Sequence, residues 1–394
     1  MRKWFMITCL AIAAVTSGCN PNGGGKFQGE YTYRGNLANT GIVQTEGLSE
    51  LKGEKWSLQL DHEIHSSPIL VDGILYFGDE GGQFYAIRAK NGKIVWKQAF
   101  AGKIRSTAAV YENELYFTDT TSTLYAIDKA DGKLKWKQQL DNSLSNGKFT
   151  DPWDYYISSP AIDQDIIYVG GEGPFFYAVS RLDGSILWQH ETPMLFVHNK
   201  AAIADGKVFI ADMTGEVTAL DQKTGKPIWS QDYGAVQSSI AYKDGLLYFG
   251  SRDQYVYALD AESGEIKWTY LTSGGSWVSS SAAVNDEYIA IGSSDSKYVH
   301  VFDPVSGQSK FDFQAGSRVF GSPVIVDHIL YFGTAFTDKK ANNADTDAFY
   351  AVDLKTGKEK WRFAEAHSPI LSTPVVADGV VFFTTLDGHV YALN

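Results

Sequence analysis

Cysteine is almost missing from this chain: 394 residues contain two, Cys9 and Cys19. Both precede the repetitive part of the sequence, so packing and not cross-linking must hold the fold together. Helical periodicity is missing too. No long segment beyond the N-terminus carries apolar residues at a spacing of three and four. Basic clusters are absent and the formal net charge is −12, which argues against a nucleic-acid partner. The longest apolar run, Phe5 to Val15, is too short to span a bilayer, and no second candidate follows. No Ser lies in a G-x-S-x-G context, so a hydrolase elbow is not encoded. What is abundant is aromatic residues, 14%, and glycine, 38 residues, a balance that favours short strands and tight turns.

The first residues, MRKWFMITCLAIAAVTSGCN, combine a basic start (Arg2, Lys3), the short apolar run and small residues leading into Cys19. That is a secretory signal, assigned to residues 1–18. Its SGC ending resembles a bacterial lipobox, which implies that Cys19 becomes the acylated (palmitate-bearing) first residue of a lipoprotein. Several acyl chains supply the stable anchoring that one chain does not. A polar tether and lead-in, 19–53, follow. Asn20 lacks the Asp associated with inner-membrane retention, so in a Gram-negative host the expected location is the periplasmic face of the outer membrane.

From residue 54 onward one sentence recurs. DGILYFGDEGGQFYAIRAKNGKIVW ends at Trp96, and its counterparts end at Trp136, Trp188, Trp229, Trp268, Phe311 and Trp361. Small residues open eight copies, at Ser66, Ser106, Ser158, Asn199, Ser238, Ser280, Gly321 and Ser372, yet only seven copies are complete. The eighth stops at HVYALN, and GEKWSLQL, with Trp56, stands upstream of the first. Each copy reads as four short strands, with DG-type turns between the first two and NGK, DGK, TGK or SGE turns between the last two. The expected fold is therefore all-β: an eight-bladed propeller of four-stranded antiparallel blades over 54–394, its last blade closed by an N-terminal strand. The eight aromatic residues are expected to dock blades. Copy six pairs Val301 with Phe311 where the others pair Ala with Trp, which implies that the two positions touch. Asp128, Asp221, Asp260, Asp303 and Asp353 are expected to bond turn backbone.

YALDAESGEIKW, YAVDLKTGKEKW and TALDQKTGKPIW resemble the repeat of pyrroloquinoline-quinone-type propellers. The resemblance covers about residues 54–394 and implies the propeller fold. That family contains quinoprotein dehydrogenases, and also non-catalytic lipoproteins, among them the propeller subunit of the outer-membrane β-barrel assembly machinery. Length, lipobox and blade number are similar to the latter. YRGNLANTG, Tyr33 to Gly41, is similar to the lead-in of stand-alone members. The dehydrogenases imply pyrroloquinoline quinone, Ca²⁺ and an adjacent Cys pair; no such pair occurs here, so no cofactor is expected.

Where the first strands converge, hydroxyl residues are expected to line a wet channel. His65, Arg105, His198 and Lys200 interrupt them and form a candidate cationic mouth for an anionic ligand. No close-spaced set supports a metal. Two long inter-blade connections and the segment around Trp277 bring Trp153, Tyr156, Met194, Leu195, Phe196 and Trp277 to one face. These side chains are candidates for binding a membrane-associated protein partner, or for local packing over the channel. The sequence thus suggests a lipid-anchored, non-enzymatic, protein-binding propeller. A quinoprotein dehydrogenase and a small-ligand or carbohydrate-binding lipoprotein are the alternatives.

Overall fold

The computed structural model describes residues 30–144, 156–193, 196–272, 276–336 and 347–394. Cys19, the signal segment, Trp153, Met194 and Leu195 lie outside the described residues.

Eight antiparallel sheets, each with four strands of one repeat, form eight blades. In blade 1 these are Ile69–Val71, Ile74–Gly78, Gln83–Arg88 and Ile94–Ala99. The second and third strands are buried on both sides, because each sheet is sandwiched between two others. The outer strand alternates exposed with half-buried residues, and Trp96 is one of the inward ones. In blades 1, 4, 5 and 8 the first hairpin turns on Asp-Gly with both residues at positive φ, as at Asp72 (51°) and Gly73 (74°). That is the geometry whose twist matches flanking strands. Eight apolar clusters fill the eight spaces between neighbouring blades.

Closure is as the repeat count requires. Glu54–Gln59 pairs with His389–Leu393, placing Trp56 opposite Ala392. Beyond that pair the two ends continue as a turn: Asn394 donates to Gly53 O at 3.1 Å and accepts from Lys52 N at 2.6 Å. Ala and Trp are direct cross-strand partners in blades 1 to 5 and 7, and Val301 faces Phe311 in blade 6. The compensating exchange is thus a contact within one blade.

The indoles of blades 1 to 5 and 8 also reach the next blade. Trp229 Nε1 donates to Ala261 O at 3.1 Å, and Trp268 Nε1 to Pro304 O at 3.1 Å. The turn glycine of that next blade lies on the ring: a Cβ on Gly264 would fall 2.8 Å from the Trp229 indole. The glycine of each NGK-type turn therefore serves two needs, a positive φ and room for an aromatic ring. The repeat aspartates bond turn backbone as expected: Asp353 Oδ1 accepts from Lys355 N (3.0 Å) and Thr356 N (2.9 Å).

One feature goes beyond the repeat. Glu30–Tyr31 adds a fifth strand to the inner edge of blade 2. The chain then crosses the top of the ring, on the face bearing the hairpin turns between first and second strands. It bonds in succession to Ile203 of blade 4, Tyr242 of blade 5, Val284 of blade 6 and Ile325 of blade 7. Residues 30–46 are a plug.

Candidate functional site

The first strands meet at the axis, and their hydroxyls are arranged in two tiers. Ser66 and its equivalents do not line a wet channel, as the sequence suggested. Ser66 Oγ donates to Gly78 O at 2.8 Å and accepts from Gly78 N at 3.1 Å, tying the first strand to the second. Ser106, Ser238, Ser280 and Ser372 repeat that clasp. Backbone satisfies these groups because each is buried away from the axis.

The second tier joins blades. Thr107 N donates to Ser159 Oγ (3.0 Å), Ser239 N to Ser281 Oγ (2.9 Å), Ser281 N to Ser322 Oγ (2.9 Å) and Thr373 N to Ser67 Oγ (2.8 Å). Each of these hydroxyls accepts from its neighbour's backbone, and together they make most of a hydrogen-bonded hoop around the axis. Lys200 takes the hydroxyl's place in blade 4.

Lys200 is 1% exposed. Its ammonium donates to Asn36 O at 2.9 Å and to Asn39 Oδ1 at 2.8 Å, so it anchors the plug. Asn39 in turn donates to Lys200 O (3.1 Å) and Ile240 O (2.9 Å). Arg34 reaches the other side, donating to Pro323 O and Ala282 O, both at 2.6 Å. Burial lowers the Arg34 guanidinium to about 10, which leaves it charged at neutral pH. Arg34 and Asn39 were not assigned a role from the sequence; their place within the segment YRGNLANTG was the available signal.

The four cationic-mouth candidates do share one cavity, below the plug. It is lined by His65, Arg105, His198 and Lys200 with the second-tier hydroxyls. Its volume is about 20 Å³, room for about one water molecule. The charges there are already paired. Arg105 forks onto Glu80, Nε to Oε1 at 2.7 Å and Nη2 to Oε2 at 2.9 Å, and Lys103 lies 3.0 Å from the same carboxylate. Burial would raise the Glu80 carboxyl, but the Arg105 fork, with His65 and Lys103, outweighs it and holds the group at about 2. His65 is 3.2 Å from Glu63, and burial pulls its pKa below the ordinary imidazole value. His198 is 3.2 Å from Glu172.

Of the face candidates, Phe196 is buried, 3% exposed, its ring stacked on His198 at 4.0 Å. Tyr156 crosses the axis, its hydroxyl 3.3 Å from Phe320 O and 3.4 Å from Leu371 O. Local packing, the alternative considered for this face, describes both. Trp277 stays half-buried with the Arg252 guanidinium 4.5 Å over its ring. The axis is thus stopped above by the plug and below by Tyr156. Among the described residues no three His, Cys, Asp or Glu side chains group as a metal site.

A family model described as outer membrane protein assembly factor BamB matches residues 47–202, 177–335 and 308–394. The BamB of Salmonella typhimurium is 28% identical over 90% of this chain and 80% of its own. The tetrathionate hydrolase of Acidithiobacillus ferrooxidans is 24% identical, covering 83% of this chain and 64% of the hydrolase. A quinohemoprotein alcohol dehydrogenase of Comamonas testosteroni is 24% identical over 54% of this chain and 34% of its own. This chain therefore spans less than two thirds of either enzyme's length. The solved structure of a quinohemoprotein alcohol dehydrogenase from the same organism superposes with a TM-score of 0.74, at 13% identity, covering 92% of this chain and 80% of that one. These likenesses take in scaffold and enzyme alike.

Proposed function

This chain belongs to the family described as outer membrane protein assembly factor BamB, and from that premise we propose a non-catalytic, lipid-anchored scaffold that binds other envelope proteins during outer-membrane β-barrel assembly. One observation carries the reading. Among the described residues, the ring axis is filled by this chain's own side chains, Lys200 with the plug above and Tyr156 below. Catalysis needs an accessible cavity in which reacting groups meet; the axial space below the plug has room for about one water.

The anchor sets the orientation. Glu30 leaves the ring on the plug face, paired with Tyr111 at the first hairpin of blade 2. The segment between Cys19 and Glu30 reaches at most about 40 Å. In this reading the tether leaves from the plug face, and the inter-blade loops with Trp277 lie on the opposite face. A partner held at that second face would lie in the periplasm.

The test is photo-crosslinking in cells from Trp277 and from Leu271, which is 54% exposed on an outer strand. Capture of a β-barrel assembly component from Trp277 is the expected result; its absence from both positions counts against the scaffold. The dehydrogenase alternative is checked by adding pyrroloquinoline quinone and Ca²⁺ to the pure protein. No dye reduction with alcohols is expected, and turnover would reverse the reading. An anion- or sugar-binding mouth is disfavoured because Arg105 and Lys200 are committed to Glu80 and the plug.

A further inference from the structure

The plug treats the eight blades unequally. In the three-residue first strands the middle residue, and in blade 6 Val284, sits opposite a non-hydrogen-bonded partner. The hairpin's flanking pair, such as Val71 and Ile74, takes the ladder bonds, and Leu70 faces Leu75 one step further on. The amide of that middle residue points away from its own sheet, toward the axis. In blades 4, 5, 6 and 7 the plug satisfies it: Ile203 N donates to Leu37 O (2.9 Å), Tyr242 N to Ala38 O (2.8 Å), Val284 N to Thr40 O (2.8 Å) and Ile325 N to Gly41 O (3.0 Å). In blade 2, Val110 pairs with Tyr31. The equivalent residues of the adjacent blades 1 and 8 are Leu70 and Val376. Among the described residues, neither amide receives an acceptor from the plug.

Both open into the same groove, a volume of about 800 Å³ between the plug and blades 8 and 1. Pro68, Leu70, Pro374 and Val376 form one wall, and Ile42 and Val43 of the plug the other. The cations at this site are spent. Lys243 is held by Asp244 (2.9 Å) and Asp286 (2.6 Å), and Arg34 by two carbonyls. What the groove offers is mainly apolar surface, two strand-edge N–H groups and uncharged polar side chains such as Gln44, Thr45 and Asn285, its Asp286 being paired with Lys243.

We propose that this groove binds an extended, uncharged polypeptide segment of a partner protein, whose carbonyls accept from Leu70 N–H and Val376 N–H. The plug is the internal precedent. Its carbonyls, one or two residues apart, serve neighbouring blades, so a continuing strand with the same spacing bridges blades 8 and 1. Backbone bonds supply affinity and the apolar walls select alternate side chains. This deepens the protein-binding reading and rests on it, but it names a second surface, on the plug face.

The test uses the full chain and a set of fluorescent heptapeptides in which apolar and polar residues alternate, read by anisotropy. Leu70→Pro removes one open N–H at a strand edge, where proline is tolerated. Ala377→Trp, on the groove lining, fills the space without touching an amide. Saturable binding of at least one peptide, weakened tenfold or more by each variant, is expected. No saturable binding to the unaltered protein, or affinity unchanged in both variants, overturns the proposal. Binding that appears only when residues 20–29 are removed assigns the groove to this chain's own leader, and a dimer dissolved by Ala377→Trp assigns it to a second copy; either result overturns it. Neither outcome depends on crosslinking from Trp277, so the scaffold reading stands or falls separately.

Discussion

At the scale of single residues, two buried charges explain themselves by their partners. Lys200 replaces a hoop hydroxyl and ties the plug to the axis. Lys200→Ser restores the hydroxyl but strands Asn39 Oδ1 and Asn36 O. We expect a loss of about 2–4 kcal/mol, read as a lower urea midpoint, with protease cleavage appearing within 30–46. Glu80 gives a pH signature. Its carboxylate is held at about 2, against an ordinary 4.5. A depressed folded-state pKa stabilises above the unfolded value and is lost as pH falls through the folded one. Glu80 therefore contributes about 3 kcal/mol at neutral pH, fading between about pH 4.5 and 2. Arg105→Met should flatten unfolding free energy against pH in that window. An unchanged slope would mean that the fork does not hold the carboxylate down.

At the scale of the element, the two kinds of turn glycine differ. Gly245 has a φ of 82° and nothing within 4 Å of a built Cβ, whereas Gly264 has a φ of 76° and the Trp229 ring at 2.8 Å. Gly245→Ala should cost about 1 kcal/mol, the left-handed penalty alone. Gly264→Ala should cost about 1–3 kcal/mol more, for overpacking. Trp229→Ala should cost about 3 kcal/mol, the low end for a large aromatic because the ring is only half-buried. Chemical denaturation of the double variant should show non-additivity, since the alanine methyl no longer meets an indole. Additive effects would separate the two positions. The sequence showed that glycine and tryptophan recur at a constant offset, but not that they meet across blades. The contact joins the outer strand of one repeat to the turn of the next, and periodicity alone leaves that register open.

At the scale of the whole molecule, the ring depends on its split blade. Trp361 Nε1 and Tyr331 OH, which elsewhere would find a carbonyl in the next blade's hairpin, both donate to Leu48 O, at 2.8 and 3.0 Å. The lead-in thus stands in for the hairpin that blade 8 lacks. Deleting Gly53–Gln59 should abolish the single calorimetric transition, because blade 8 loses its outer strand and the ring its closure. A single transition in the deleted protein would refute that dependence.

The sequence by itself determined the eight repeats, their four strands, the split last blade and the Val301–Phe311 exchange. These are properties of a local pattern repeated often enough to show which positions must be small, aromatic or turning. Only the tertiary structure decided what happens at the axis. Arg105 and Glu80 are 25 residues apart, Lys200 and Asn39 161, and Tyr156 and Leu371 215. The repeat says nothing of such pairs, because they are made by the residues that depart from it. The four residues expected at an open mouth share a cavity as the strand register required. The charges of Arg105 and Lys200 are nonetheless consumed there, because a buried cation is stable only when acceptors and counter-charges surround it.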